Sequence, residues 1–212
     1  MKLKNIWGIM MILSTEIQNF ELLQFFIDNP NDNSHNTIVN SNNDKNMPEE
    51  IILVDKNDRE IGTGEKMKVH QDGKLHRAFS IFVFNSKNEM LLQKRAKTKY
   101  HCGELWTNTC CSHPRSGESL EEATHRRLQE EMGFNCKLKE IASFIYKAKF
   151  DNGLTEHEYD HIFTGRFDSE PKLNSEEADD YKWIDLESLK KEIKKNPDDF
   201  TVWFKIAIEK VF

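Results

Sequence analysis

One predicted helix, between Glu118 and Met132, is marked at both of its ends. Apolar residues recur within it at helical spacing, at Leu120, Ala123, Leu128 and Met132. Ser119 and Glu122 can form a capping box where the helix begins, and Gly133 can end it. The fold must therefore bury one face of a well-defined helix against whatever surrounds it.

Runs of β-forming residues lie on both sides of this helix. The predicted strands are 49–54, 60–63, 78–84, 90–95, 144–150, 156–163 and 181–184. Short turn segments at 85–88 and 151–153 predict two hairpins, 78–95 and 144–163. Two further helices, Leu186–Lys195 and Phe200–Val211, are separated by Pro197. Mixed strands flanked by helices predict a layered α/β domain.

The N-terminal part of the chain differs in composition. Residues 31–46 are rich in Asn and Asp and offer almost nothing to bury. We therefore predict that 1–46 is a disordered extension and that the folded domain spans 47–212. The apolar run Ile6–Leu13 is shorter than the roughly 20 residues that cross a bilayer, so no membrane span is predicted. It imitates a secretory signal but lacks a cleavage site, and a short amphipathic helix or an unstructured leader is the simpler interpretation.

Charge and cysteine usage restrict the class of partner. The formal net charge is −6, so no overall positive field attracts nucleic acid or an anionic membrane. An anionic ligand would need a local cluster of Lys and Arg. The four cysteines include no CxxC pair and two of them are adjacent, which is a poor disulfide framework. We expect reduced thiols and a cytoplasmic protein.

Two short segments each place two chemically active side chains on one face if the segment is extended. Cys111 and His113 would share a face, with Cys110 pointing away, and Glu156 and Glu158 would share another. A neighbouring cation or metal would activate the thiol, and a cation would offset the repulsion between the two carboxylates. Taken alone, each pair has a plainer interpretation, as a buried structural Cys with a satisfied His or as a solvated sheet edge.

Two more histidines, His70 and His76, lie on either side of the turn at 71–73. Imidazole and carboxylate ligands both suit divalent ions such as Zn²⁺ or Mn²⁺. The combined donor set therefore predicts one metal site, made by His70, His76, His113, Glu156 and Glu158.

The helix and the segment before it carry a known motif. The residues read Ser112-x5-Glu118-x7-Arg126-Arg127-Leu128-x-Glu130-Glu131-x-Gly133-Phe134. This resembles the Nudix box, G-x5-E-x7-R-E-U-x-E-E-x-G-U, in which U is apolar. Ser112 replaces the first glycine, and Arg127 replaces the glutamate with which Nudix hydrolases hold catalytic magnesium. A cation at this position works against hydrolysis and favours holding a diphosphate.

With Trp106–Pro114 just upstream, the pattern resembles the type 1 isopentenyl-diphosphate isomerase family. The resemblance runs from Ile51 to the C-terminus and includes further segments, at 65–66, 70–80, 95–99 and 153–158. It implies a Nudix-like α/β/α sandwich with a mixed β-sheet. It also implies interconversion of isopentenyl and dimethylallyl diphosphate by a metal-dependent 1,3-allylic proton shift.

The resemblance also assigns roles to individual residues. Cys111 and Glu158 would be the acid/base pair. The five-ligand set would hold one ion, Mn²⁺, Zn²⁺ or Mg²⁺, and Glu131 would hold a second, Mg²⁺, at the diphosphate. The implied substrate-binding residues are Lys66, Arg95, Lys99 and Arg127 around the diphosphate, and Tyr146 and Trp203 beside the hydrocarbon, with Trp106 close to the motif.

Other interpretations remain open at this point. A Nudix hydrolase of a nucleoside diphosphate derivative needs the same fold and a similar magnesium-binding helix. A non-catalytic Nudix-like binding module would also retain the motif. Tyr146 and Trp203 are equally compatible with ordinary core positions. The sequence does not settle the oligomeric state, although a monomer is favoured.

Overall fold

The computed structural model describes residues 49–212. The predicted extension 1–46, with its leader-like run, lies outside the described residues. Within residues 49–212, no helix combines the length and the apolar character needed to cross a membrane.

The described chain contains nine strands and four α-helices. The strands are β1 (Glu50–Val54), β2 (Glu60–Glu65), β3 (His76–Phe84), β4 (Glu89–Arg95), β5 (Trp106–Thr107), β6 (Cys110–Ser112), β7 (Leu138–Lys149), β8 (Thr155–Arg166) and β9 (Ala178–Asp185). The helices are α1 (Lys66–Asp72), α2 (Leu120–Met132), α3 (Leu186–Lys195) and α4 (Val202–Val211), with a 3₁₀ turn at Pro197–Asp199. The predicted helix at 200–211 therefore begins two residues later than expected.

Strand β3 organises the sheet. On one side it pairs in parallel with β8, from His76 opposite Glu158 to Phe84 opposite Arg166. On its other side it pairs in succession with β1 near its start, β6 in its middle and β4 at its end, always antiparallel. Strand β8 also forms an antiparallel hairpin with the preceding strand, β7. Strand β4 pairs with β5 and β9. The result is the mixed sheet that was predicted.

The predicted hairpin of residues 78–95 is only partly correct. Strands β3 and β4 pair at Phe84 and Met90, next to the turn, and then diverge. The segment containing β5 and β6 fills the gap between them. The Thr109 hydroxyl accepts a hydrogen bond from Val83 N at 2.9 Å and donates one to Leu91 O at 2.7 Å. Thr109 thus supplies hydrogen-bond partners to the backbone of both strands at this point, in place of the partners that β3 and β4 would give each other.

Helix α2 forms as predicted and covers one face of the sheet. The capping box of Ser119 and Glu122 is present. Its apolar face packs against alternate residues of β3 in a buried cluster that includes Ala123, Leu128, Met132, Phe79 and Ile81. On the opposite face of the sheet, Phe82 stacks against Phe204 of α4, with ring centroids 6.1 Å apart. Helices on both faces make the α/β/α sandwich.

The end of α2 gives a stability prediction. Gly133 has φ +71°, and a Cβ there would lie 2.3 Å from Lys172 O. Gly133→Ala is expected to lower the free energy of unfolding by about 3 kcal/mol, since it combines left-handed strain with a backbone clash. Gly117→Ala is the matched control, because its φ is +78° and nothing lies within 4 Å. It should cost about 1 kcal/mol. Urea unfolding measures both, and equal losses would contradict the clash.

Candidate active site

Five potential metal ligands converge where α1, β3, β6 and β8 meet. They are His70, His76, His113, Glu156 and Glu158, all buried, and one ligand atom from each lies within 4.8 Å of the others. The parallel pairing of β3 with β8 places His76 directly opposite Glu158. Alternation along β8 places Glu156 and Glu158 on one face, while His157 contacts Gly73 O on the other. The structure thus brings together the whole set assembled from the sequence.

The histidine rings are oriented as metal ligands require. Nδ1 of His70 lies 2.7 Å from Lys66 O, and Nδ1 of His76 lies 2.9 Å from Lys74 O. These carbonyls place the proton on Nδ1 and leave Nε2 free to face the cluster. Burial lowers the pKa of His113 to about 4, so its imidazole is neutral. Imidazole nitrogens and adjacent carboxylates fit a divalent ion.

Both carboxylates of the cluster are ionised in spite of their burial. Burial and the charge of Glu156 oppose ionisation of Glu158, but its contacts with His113 and His76 outweigh them and lower its pKa. Glu158 Oε1 lies 2.9 Å from His113 Nε2, and Oε2 accepts a hydrogen bond from the Tyr146 hydroxyl at 2.5 Å. Burial likewise opposes ionisation of Glu156, and contacts with His101 and His70 hold its pKa well below the usual range.

Cys111 and Glu158 line the same cavity. Its empty volume, including the open mouth, is about 520 Å³. Cys111 is half-buried at this wall, whereas Cys110 is fully buried in the apolar core beneath α2. The two neighbouring sulfurs therefore point to opposite faces of β6, as the extended segment predicted. Burial raises the pKa of the Cys111 thiol to about 12, even though Arg95 favours the thiolate.

This shift predicts how Cys111 reacts. A raised pKa means that the thiol is neutral at pH 7, so its alkylation by iodoacetamide should be slow. The rate should increase about tenfold per pH unit between pH 7 and 10, because only the thiolate reacts. Site-resolved mass spectrometry over this pH series is the measurement. A rate that levels off between pH 9 and 10 would show an ordinary thiol instead.

Four predicted cations line the cavity, and most of them have carboxylate partners. Lys66 Nζ lies 2.9 Å from Glu49, and Lys99 Nζ lies 2.5 Å from Glu177. Arg127 contacts Glu177 at 2.9 Å as well. Arg95 differs, since its guanidinium lies 5.2 Å from the Trp203 ring centroid and donates to His101 O. Sequence reasoning missed Glu177, which lies in the loop before β9 and has no periodic signal.

The Nudix-box acids have two kinds of role. Glu118 accepts hydrogen bonds from Arg126 at 2.6 and 2.8 Å, which ties the loop before α2 to the helix. Glu131 is buried at the cavity wall, where it accepts from Gln93 at 2.8 Å and from Arg127 at 2.7 Å. Glu118 thus supports the fold, while Glu131 faces the site.

Aromatic rings form the remaining wall. Tyr146 and Trp203 both line the cavity, and the Trp203 indole donates to Thr107 Oγ1 at 3.0 Å. Trp106 instead packs against Lys182, with Nζ 4.6 Å from the ring centroid. Tyr100 and His101 also line the cavity and were missed, because their loop has no alternation or helical spacing.

A third buried acid, Asp160, follows Glu156 and Glu158 on the same face of β8. Burial and the charge of Glu158 raise its pKa well above the usual range. Ser80 donates to it at 3.0 Å. The period-two alternation that singled out the first two acids could have identified Asp160 too.

Comparison with known proteins identifies the type of fold. A NUDIX domain model matches residues 74–204. A Deinococcus radiodurans protein of known structure superimposes with a TM-score of 0.66 at 19% identity, over 77% of this chain and 99% of that one. A MutT protein from Methanosarcina mazei has a TM-score of 0.54 at 20% identity, over 65% and 92% of the two chains. At these identities the structures support the fold alone.

Sequence relatives narrow the family. Isopentenyl-diphosphate Delta-isomerase 2 of Photorhabdus laumondii is 60% identical over 162 residues, which cover 76% of this chain and 92% of that protein. The Aromatoleum aromaticum protein of the same name is 50% identical over 165 residues, 78% of this chain and 87% of the relative. With a NUDIX domain model over more than half of its length and relatives this similar over about three quarters of it, the chain belongs to the Nudix superfamily and, within it, to the isopentenyl-diphosphate Delta-isomerases.

Proposed function

We propose that this enzyme interconverts isopentenyl diphosphate and dimethylallyl diphosphate by a metal-dependent protonation and deprotonation. One observation carries the proposal: a thiol, Cys111, and a carboxylate, Glu158, line one small cavity between a His/Glu cluster and a group of cations. A 1,3-allylic proton shift needs two acid/base groups at a shared substrate. One delivers a proton to the terminal alkene carbon, and the other removes a proton from the far side of the resulting tertiary cation.

The two ends of the proposed substrate require different chemical surroundings. Lys66, Arg95, Lys99 and Arg127 supply positive charge for the diphosphate in a protein of net charge −6. Trp203 and Tyr146 present aromatic faces that stabilise a carbocation and exclude water without reacting. This arrangement supports an amphiphilic substrate with a short hydrocarbon tail.

Two divalent ions complete the proposal. His70, His76, His113, Glu156 and Glu158 would hold the first, Mn²⁺, Zn²⁺ or Mg²⁺, and Glu131 would hold Mg²⁺ beside the diphosphate. When bound, they supply positive charge that keeps Glu158 in place and offsets the negative charge of the diphosphate. Glu158 belongs both to the cluster and to the acid/base pair, and Tyr146 orients it from the other side.

The test is incubation of the purified full chain with isopentenyl diphosphate, Mg²⁺ and Mn²⁺ in D₂O. We expect dimethylallyl diphosphate carrying deuterium, observed by NMR, because the added proton comes from an exchangeable group. Release of phosphate would instead identify a Nudix hydrolase. An unchanged substrate would identify a binding module.

We further propose a monomeric, cytoplasmic enzyme that acts on a small molecule without nucleic acid or membrane. The net charge of −6 argues against nucleic acid and anionic membranes as partners. Four cysteines that are free of disulfides fit a reducing compartment such as the cytoplasm. Sedimentation of the purified chain tests the monomer.

A further inference from the structure

His101 contacts the His/Glu cluster although it is outside the five-ligand set. Its Nε2 lies 2.7 Å from Glu156 Oε1, and the side chain is 5% exposed. The other Glu156 oxygen, Oε2, lies 3.1 Å from His70 Nε2. One carboxylate oxygen therefore faces a histidine of the cluster, and the other faces His101.

The second carboxylate of the cluster is arranged in the same way. Glu158 Oε1 faces His113, and Oε2 is held by the Tyr146 hydroxyl. In each case one oxygen is left for the ion and the other is held by a group from outside the ligand set. His101 thus occupies toward Glu156 the position that Tyr146 occupies toward Glu158.

The surroundings of His101 keep its ring in one orientation. The ring stacks on Phe150, with centroids 5.1 Å apart and planes 12° from parallel, and meets Trp203 edge-on at 5.6 Å. Its carbonyl accepts a hydrogen bond from Arg95 at 3.2 Å. Both ring nitrogens are buried without a well-formed hydrogen bond among residues 49–212, and Nε2 is the one that faces a carboxylate oxygen, at 2.7 Å. Nε2 is therefore the nitrogen through which His101 can hold Glu156.

We infer that His101 is a positioning residue, which holds Glu156 so that its free oxygen points at the metal. The inference rests on the proposed function, because it assumes that the His/Glu cluster binds an ion. Groups that hold a ligand from behind orient it and strengthen metal binding. His101 also lies two residues after Lys99, so one loop contributes to both the diphosphate end and the metal end of the cavity.

The experiment compares His101→Phe, His101→Gln and the unaltered chain in their affinity for Co²⁺, without substrate. Phenylalanine keeps the stacking on Phe150 but has no donor, whereas glutamine places an N–H near the position of Nε2. Competition with a chromophoric chelator gives Kd, and the visible spectrum of bound Co²⁺ reports its ligands. His125→Phe is the matched control, since His125 lies on α2 outside the cavity and contacts Asn135.

We expect His101→Phe to weaken Co²⁺ binding about 10- to 100-fold, and His101→Gln to restore most of it. The control variant should bind as the unaltered chain does. Unchanged affinity in His101→Phe would overturn the inference, and so would an equal loss in His101→Gln at an unchanged Tm, since packing alone would then explain the effect. Because no step uses isopentenyl diphosphate, failure of the isomerase assay and failure of this inference are separate results.

Discussion

Replacing Cys111 with alanine is expected to abolish isomerisation, with kcat lowered by about 10³-fold or more and Tm close to that of the unaltered chain. The thiol is half of a two-group proton relay, and general acid–base groups typically contribute about 10²- to 10⁴-fold. Alanine leaves Glu158 and the cations in place, so the substrate should still bind. NMR assays of isopentenyl diphosphate conversion give kcat, and unaltered turnover would overturn the role of Cys111.

The neighbouring sulfur provides the control. Cys110 is fully buried in the apolar core, on the opposite face of β6. Cys110→Ala should leave kcat nearly unchanged and lower the free energy of unfolding by about 1 kcal/mol, since it leaves a small cavity. A loss of activity as large as that of Cys111→Ala would mean that the other sulfur is the reactive one.

Glu158→Gln is expected to lower kcat as much as Cys111→Ala does, for two reasons that can be separated. Glutamine has nearly the same size and can still meet Tyr146 and His113, but it cannot ionise or accept a proton from carbon. We expect kcat to decrease by about 10³-fold or more through loss of the acid/base group. The lost negative charge should also weaken metal binding.

Metal content by plasma mass spectrometry separates these effects. Reduced turnover at full metal content would assign Glu158 to proton transfer, and reduced turnover with lost metal would assign it to the ion site. Glu140→Gln is the matched isosteric control, because Glu140 is an exposed carboxylate on β7 that contacts His161. Activity equal to that of this control would contradict both roles.

Much of the local structure could be predicted because it depends on near neighbours in sequence. The capping box of Ser119 and Glu122 and the left-handed Gly133 define α2 with few distant contacts. The two-residue alternation of extended chain placed Glu156 and Glu158 together on β8 and separated Cys111 from Cys110. Each of these inferences needs only the geometry of one segment.

Pairing between distant segments could not be predicted in the same way. The hairpin of β3 and β4 was expected along its length, but the strands diverge because Thr109 inserts between them. The parallel pairing of β3 with β8 had no local signal. His101 and Glu177 were missed for the same reason, as they lie in loops that become informative only when they meet Glu156, Lys99 and Arg127.

By itself the sequence determined the types of the main elements, the face that each reactive side chain occupies and the donor set suited to a divalent ion. Only the tertiary structure decided that these faces surround one cavity. Periodicity expresses the geometry of a single segment, whereas convergence depends on which distant strands satisfy each other's backbone and bury each other's side chains. His76 meets Glu158 because β3 lies parallel to β8, and that choice is made by the packing of the whole sheet.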